Sequence, residues 1–528
     1  MRRARNEGAP TMPRNHPAHT LASIVLVVAL ALAGTVVAQD RYDDPQGRFS
    51  VPIPTDWTVT ATPDVLTLEH AEPTAVLHVL APVGAEADVV AAALAILVDP
   101  SLDAAFAAAP LQATPVPLPS GTWTQRIYQV GDDIVAAISL ERGDHTVLVL
   151  AQATQPAFMS TANAATNSVL LGLEVLLPEP DAAAPEDLPF DVSEVTIDAG
   201  EHTLAGILTL PPGDGLVPAI VIVSGSGAQD RDGVNPGMPG YAPLRWLAHH
   251  LTPAGVAVLR FDERGIGGSG GDHESATSAD LADDVTAALR HLAGVERVDA
   301  ARVGLLGHSE GSVIVGRVAA ALPDEVAFMI AMAGPALPYS EIVIKQVERI
   351  ATASGASQAD IDEAVALQQA FIAHAIAEDW EALEALAAEH FTDQIAELPE
   401  AQRAQLGDVD AVVAQQVEAT VAAFQSPWFS YFMTYDPRDD LRRITAPTLV
   451  LFGELDVQVD LEQNRAHFEA ALAEAGNDDV TVVVVPQANH LLQEAVTGNV
   501  DEYMALDMAF APGFLDVISD WLAERFLP

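Results

Sequence analysis

The sequence predicts an α/β fold, in which a doubly wound and mostly parallel sheet follows a small α+β domain. After about residue 191, runs that are apolar on both faces alternate with helical patterns, and such runs are typical of buried parallel strands: PAIVIVSGSG, GVAVLRFDERG, RVGLLGHS and PTLVLFGELD. Before that point, alternating segments such as VLTLEH and HTVLVLAQAT predict an antiparallel sheet. Chemistry in parallel sheets collects at the carboxyl ends of the strands, so polar residues there are the candidate site residues.

Residues 1–38 have the order of residues that is typical of a secretory signal peptide. Arginines precede the apolar run LASIVLVVALALAG, and small residues precede Gln39 in TVVAQD. The apolar run is short for a membrane span, and an uncleaved anchor is the alternative. We therefore expect an exported protein, periplasmic or extracellular, with no membrane partner after the signal is cleaved.

Composition excludes several classes of protein. The chain has 24 basic and 74 acidic residues and a net charge of −50, which repels phosphates and excludes a nucleic-acid partner. The absence of cysteine excludes disulfides, cysteine nucleophiles and thiolate metal sites. We expect neither a metal nor a cofactor. The acidic surplus is explained equally by adaptation to salt and by genomic bias.

Residues 39–176 are predicted to form the small α+β domain, and residues 177–190 a linker. The linker LPEPDAAAPEDLP contains four prolines and has no apolar period. The phrase GRFSVPIPTDW near the start of the domain resembles the opening of PsbP-like or Mog1-like domains. No catalytic constellation is evident there, so we expect a packing or binding role for this domain.

Residues 191–528 are predicted to form the parallel-sheet domain, interrupted at about 338–435 by a helical insertion. Between AMAGPA and PTLVLFG the chain has helical patterns and no strand signal, as in QADIDEAVALQQAFIAHAIAEDW. We expect this insertion to lie over the carboxyl edge of the sheet as a cap. A helical spacer that does not contact the site is the alternative.

Ser309 is the candidate nucleophile. It lies in a Gly-x-Ser-x-Gly turn between a buried strand and a helix, which is a nucleophile elbow. Gly307 and Gly311 are required because a side chain at either position would collide with the neighbouring strand or helix. The N-terminus of the following helix stabilises negative charge nearby.

Two later strand ends supply an acid and a base. Asp456 follows a buried strand in LVLFGELDVQV, and His490 follows the last strand in VTVVVVPQANHLL. We expect His490 to take the proton of Ser309 and Asp456 to hold the imidazole tautomer. Asp460 is the alternative acid.

The tetrahedral oxyanion of such a reaction needs two N–H donors. We expect the backbone N–H of Glu310, rather than its carboxylate, to be the first donor, and the N–H of Ser226 in the loop SGSGAQDRDG to be the second. That loop lacks the Walker pattern, which argues against phosphate binding. His308 is expected to pack or to hydrogen-bond locally, and His273 to lie at the surface.

Six motifs in order carry a family resemblance, from about Asp191 to the end of the chain: IVIVSGSGAQDRDG, LRFDERGIGGSGG, GLLGHSEGS, SPWFSYFMTYDP, LVLFGELDVQV and PQANHLL. Together they resemble bacterial EstD-like carboxylesterases of the α/β-hydrolase superfamily, near the serine aminopeptidase-like hydrolases. The resemblance implies the α/β-hydrolase fold, activity on small acyl esters and the triad Ser309, Asp456 and His490. The chain departs from it at Ser224, where relatives commonly have histidine.

The sequence therefore predicts an exported serine hydrolase that cleaves small-molecule carboxylic esters through an acyl-enzyme. An aminopeptidase or amidase, or a thioesterase or lactone hydrolase, with the same triad is the alternative. A non-catalytic binding protein is disfavoured because no member of the triad is missing.

Overall fold

The computed structural model describes residues 41–527, except for short gaps at 55–56, 72–73, 99–101, 103, 108–109, 111, 119–120, 132, 143–144, 155–157, 159–164, 167–168, 171–172, 178–187, 235–240, 399 and 404–408. The predicted signal peptide and most of the predicted linker lie outside the described residues. The chain divides into two compact units between Asp191 and Val192.

The first unit is built on an antiparallel sheet of seven strands in the order β3-β4-β5-β9-β8-β7-β6, beside a three-stranded sheet in the order β1-β2-β10. Alternate residues of β9 enter different cores, Val147 and Val149 on one face and Leu148 and Leu150 on the other. The strands are β1 (Arg41–Asp43), β2 (Phe49–Pro52), β3 (Thr58–Ala61), β4 (Leu66–His70), β5 (Ala75–Leu80), β6 (Gln112–Leu118), β7 (Gly121–Val130), β8 (Asp133–Arg142), β9 (His145–Thr154) and β10 (Glu174–Val175). The helices in the described part of this unit include α1 (Glu86–Ala93), a π-helix (Leu94–Val98) and α2 (Ala104–Ala107).

The second unit contains an eight-stranded sheet in the order β11-β12-β14-β13-β15-β16-β17-β18. Strand β12 pairs antiparallel with β14, and the pairs from β14 to β18 are parallel. This confirms the predicted mostly parallel sheet. The strands are β11 (Asp191–Asp198), β12 (Thr203–Leu210), β13 (Val217–Val223), β14 (Ala257–Phe261), β15 (Val298–His308), β16 (Met329–Met332), β17 (Thr448–Gly453) and β18 (Val480–Val485).

Helices cover both faces of this sheet, because each face of a buried parallel sheet is apolar. Val285 of α4, Ile314 of α5 and Phe468 of α13 belong to the core on one face. Leu247 of α3 and Ile518 of α14 belong to the core on the other. These helices and one further short helix are α3 (Pro243–Leu251), α4 (Ser278–Ala293), α5 (Glu310–Ala321), α12 (Arg438–Leu441), α13 (Leu461–Glu474) and α14 (Phe514–Phe526), with a 3-10 helix at Val500–Ala505.

The interval between β16 and β17 is helical, and it contacts the loop that follows β17. Val347 and Ile350 of α6 share a core with Val457, and Ile342 of the same helix packs with Val459. The insertion therefore lies against the carboxyl edge of the sheet. Its helices are α6 (Tyr339–Ala353), α7 (Gln358–Ile376), α8 (Trp380–Glu397), α9 (Glu400–Arg403), α10 (Val409–Gln425) and α11 (Pro427–Thr434). Among the described residues, no helix is both long enough and apolar enough to cross a membrane.

Candidate active site

Ser309 lies between the end of β15 and the start of α5, with a strained backbone at φ 53° and ψ −121°. A Cβ added to Gly307 would collide with the backbone of Gly311 and Ser312. A Cβ added to Gly311 would collide with the carbonyl oxygen of Ser224. The turn therefore closes only because both positions are glycine.

The structure brings the three predicted triad side chains together. Ser309 Oγ lies 3.1 Å from His490 Nε2. On the other side of the ring, His490 Nδ1 lies 2.9 Å from Asp456 Oδ2. The side chains of His490 and Asp456 are buried, with exposed fractions of 6% and 0%. A hydroxyl, an imidazole and a carboxylate in this series are arranged for proton transfer from the hydroxyl to the ring.

The carboxylate of Asp456 is held by the loop that contains it. Its Oδ1 accepts the backbone N–H groups of Gln458 at 2.8 Å and Val459 at 2.9 Å, which leaves Oδ2 facing His490. Asp460, the alternative acid, is engaged elsewhere. It caps α13 by accepting the N–H of Gln463 at 2.8 Å, and it pairs with Arg349 at 3.0 Å.

His308 ties the nucleophile turn to the loop of the base. Its Nε2–H donates to the backbone carbonyl of His490 at 3.0 Å, and the two rings lie 5.0 Å apart. Burial lowers the pKa of His308 to about 4, so its ring is neutral around pH 7. This neutral ring adds no positive charge beside the base.

The loop that follows β13 lies against Ser309. A Cβ added to Gly225 would lie 3.2 Å from Cβ of Ser309. The loop passes close to Ser309 because Gly225 has no side chain. Ser226 is the next residue of this loop, and Glu310 is the first residue of α5. Both predicted oxyanion donors therefore belong to segments that adjoin Ser309.

Glu263 holds that loop in place. The sequence did not predict this role of Glu263. Its carboxylate accepts a short hydrogen bond from the Ser224 hydroxyl and the backbone N–H of Gln229 at 3.1 Å. Ser224, the position at which the sequence departs from the family resemblance, is thus anchored by a carboxylate. The position of Glu263 just after β14, in LRFDERG, is the signal that could have identified it.

His273, expected at the surface, is partly exposed and pairs with the same carboxylate. Its Nε2 lies 3.1 Å from Glu263 Oε2, and 25% of its side chain is exposed. The hydrogen bond with Glu263 raises the pKa of His273, which favours the imidazolium. Its place in an irregular loop gave no strand-end or helical signal.

The carboxyl of Glu310 is buried among hydrogen-bond donors. Its Oε1 accepts the Ser278 hydroxyl at 2.6 Å and the indole N–H of Trp428 at 2.8 Å. Burial raises the pKa of Glu310, and the hydrogen bonds from Ser278 and Trp428 oppose that shift. The sequence predicted a role only for its backbone N–H.

The site offers groups for acid–base and nucleophilic chemistry. Within the part of the chain that the structure describes, no three His, Asp or Glu side chains converge to hold a metal ion.

The strand order and the family comparison identify the class of protein. Residues 241–494 match the family model described as serine aminopeptidase, S33 (Hydrolase_4). This match includes the nucleophile turn and the loops of the acid and the base. The chain has the α/β-hydrolase fold.

The individual proteins that this chain resembles have low sequence identity to it. The chain is 25% identical over 314 residues to Esterase EstD of Thermotoga maritima, and the match covers 59% of this chain and 62% of the relative. An esterase from Pyrococcus furiosus has a TM-score of 0.40 at 17% identity, covering 66% of this chain and 96% of that protein. Proline iminopeptidase of Mycobacterium smegmatis has a TM-score of 0.36 at 18% identity, covering 63% of this chain and 98% of that protein.

Proposed function

We propose that this protein is an exported serine hydrolase that cleaves small carboxylic esters through an acyl-enzyme. Ser309 is the nucleophile, His490 the general base and then acid, and Asp456 the residue that orients His490. The observation that carries this proposal is the pair of contacts at His490, 3.1 Å from Ser309 and 2.9 Å from Asp456. They join three separate strand ends of the sheet.

The reaction follows from this geometry. Ser309 Oγ attacks the ester carbonyl carbon, and its proton passes to His490 Nε2. The resulting oxyanion accepts hydrogen bonds from the backbone N–H groups of Ser226 and Glu310. As the carbon–alkoxide bond breaks, His490 returns the proton to the leaving alcohol. Water then repeats the sequence on the acyl-enzyme, releasing the acid and restoring Ser309.

Esters are favoured over amides by the similarity to Esterase EstD. The description of the matched family as serine aminopeptidase makes amide hydrolysis the second candidate. An amide nitrogen is a poorer leaving group than an alkoxide, so the two substrate classes separate by rate. Thioesters remain a third class for the same triad.

The nucleophile is tested by labelling with a fluorophosphonate, which reacts only with an activated serine. We expect the wild-type chain to label and Ser309→Ala to remain unlabelled. Equal labelling of the two chains would refute the assignment.

The substrate class is tested with p-nitrophenyl esters of increasing acyl length, the matching thioesters, and aminoacyl p-nitroanilides. We expect kcat/KM to be highest for a short acyl ester and far lower for the anilides. A higher value for an anilide would establish the aminopeptidase instead.

Export is proposed from the N-terminal sequence alone. Expression of the full chain in a bacterial host, followed by fractionation and N-terminal sequencing, tests it. We expect the exported fraction to begin at Gln39. Retention of the complete chain in the cytoplasm would contradict this part of the proposal.

A further inference from the structure

We propose that the Glu310 carboxyl is a positioning residue, which holds the nucleophile turn and its oxyanion donor against α4 and the cap. The proposal rests on the proposed function, because it assumes that Ser309 is the nucleophile. It adds a role for a side chain whose neighbour in the chain performs the chemistry.

Glu310 occupies a buried place in the fold. It is the first residue of α5, directly after Ser309, and its exposed fraction is 2%. A carboxyl that is taken out of water costs free energy unless donors surround it. Its position beside the reacting serine therefore calls for an explanation beyond packing.

The hydrogen-bond partners of the Glu310 carboxyl come from different parts of the second unit. Ser278 is the first residue of α4 and donates at 2.6 Å. Trp428 lies in α11 of the cap and donates its indole N–H at 2.8 Å. One carboxyl thus connects the nucleophile turn, α4 and the cap.

This connection bears on how the proposed oxyanion donors are held. Glu263 anchors Ser224 and Gln229 of the oxyanion loop, and Gly225 passes closely by Ser309. Glu310 supplies the other proposed donor from its own backbone N–H, and its carboxyl ties that residue to α4 and the cap. Oxyanion donors act only when they are held at the oxygen, and a displacement of about 1 Å costs up to about a hundredfold in rate.

The test compares Glu310→Gln with Glu310→Ala. Glutamine keeps an oxygen that accepts from Ser278 and Trp428, whereas alanine removes it and keeps the backbone N–H. With p-nitrophenyl acetate, and with active sites counted by fluorophosphonate, we expect Glu310→Ala to lower kcat about 30-fold and to change KM less than about threefold. Glu310→Gln should stay within about threefold of wild type.

The affinity for a tetrahedral analogue is a measurement that a merely structural role of Glu310 would leave unchanged. The Kd of phenylboronic acid should rise in Glu310→Ala by about the factor by which kcat/KM falls, because both depend on the oxyanion donors. An unchanged Kd and kcat per active site, with only a lower Tm, would overturn the proposal.

The cap contact is tested with Trp428→Phe, which removes the indole N–H. We expect kcat to fall about fivefold in the wild-type background and to be unaffected in Glu310→Ala, because the two residues act through one bond. Trp380→Phe makes the same change at the start of α8 in the same cap and should leave kcat unchanged.

The outcomes distinguish the two proposals. If Ser309→Ala retains wild-type activity, the proposed function fails. If Ser309→Ala is inactive while Glu310→Ala keeps the wild-type kcat, only this inference fails. Should Glu310→Ala not fold, Trp428→Phe and Ser278→Ala decide: wild-type kcat in both would overturn the inference, and a lower kcat at unchanged Tm would support it.

Discussion

Ser309 has a left-handed backbone that few residues other than glycine adopt, and its neighbours make this possible. Gly307 and Gly311 let strand, turn and helix approach so closely that the serine is presented at the edge of the sheet. The strain is concentrated at the residue that is proposed to react.

We predict that Gly311→Ala destabilises the fold by at least about 2 kcal/mol, because its Cβ would overlap the backbone carbonyls of Val223 and Ser224. Urea unfolding measures this. The control is Gly316→Ala in the same helix, where the new Cβ would lie 3.5 Å from the Met329 side chain. That variant should be neutral or gain up to about 1 kcal/mol. Equal losses in both variants would contradict the close approach at Gly311.

Asp456→Asn should lower kcat by about 10³ to 10⁴ and leave the fold intact. The backbone N–H groups of Gln458 and Val459 would bind the amide oxygen, so the NH₂ group would face His490 Nδ1 and favour the wrong tautomer. Steady-state kinetics on an ester measures this. Asp460→Asn is the control: it still caps α13, so kcat should stay within about twofold and stability within about 1 kcal/mol. The reverse pattern would make Asp460 the acid.

The three triad residues could be predicted because each follows an apolar strand in a recognisable local motif. Glu263 and His273 could not be assigned in the same way. Glu263 binds Ser224 and Gln229, which lie far from it in the sequence, and His273 pairs with Glu263 from an irregular loop, so only the folded chain brings these groups together.

At the scale of elements, a capping motif that is visible in the sequence sets the start of α4, and the first residue of this helix contacts the candidate site. Thr277 and Asp280 form a capping box, in which Thr277 accepts the N–H of Asp280 and Asp280 accepts the N–H of Thr277. The cap fixes where the helix begins and so places Ser278, which donates to Glu310. The pattern Thr-x-x-Asp is visible in the sequence, whereas the contact with Glu310 is not.

Thr277→Ala should cost about 1 kcal/mol of the free energy of unfolding, because it leaves N–H groups of the first turn without a side-chain acceptor. Thr286→Ala in the same helix is the matched control. Its hydroxyl donates to the Ala282 carbonyl at 2.9 Å, and alanine is the better helix former, so the change should be within about 0.5 kcal/mol. Urea titrations of both variants give the values, and a larger loss at Thr286 would contradict the role of the cap.

The helical insertion shows what the sequence settles at this scale. Helical periodicity is local, so the insertion could be predicted as helical. Its docking depends on apolar contacts of α6 with Val457 and Val459, beside the proposed acid, and these contacts form between distant segments.

At the scale of the whole molecule, a net charge of −50 is the dominant property. Self-repulsion of this size destabilises a compact chain, and it is screened by salt. The Debye length falls from about 10 Å at 0.1 M to about 3 Å at 1 M salt.

We predict that raising NaCl from about 0.1 M to about 1 M at pH 7 increases Tm. The effect should largely vanish near the sequence pI of 4.3, where the net charge is small. Scanning calorimetry at both pH values measures it. A salt-independent Tm at pH 7 would show that the acidic surplus does not limit stability.

The sequence by itself determined the sheet class, the helical nature of the insertion, and the order serine, aspartate, histidine, because apolar period and turn residues act over short distances. Only the tertiary structure decided which side chains surround the nucleophile. The carboxyls of Glu263 and Glu310 acquire their partners when loops and helices from distant parts of the chain pack at one edge of the sheet. Burial there removes water, and each carboxyl must then find its hydrogen-bond donors within the protein.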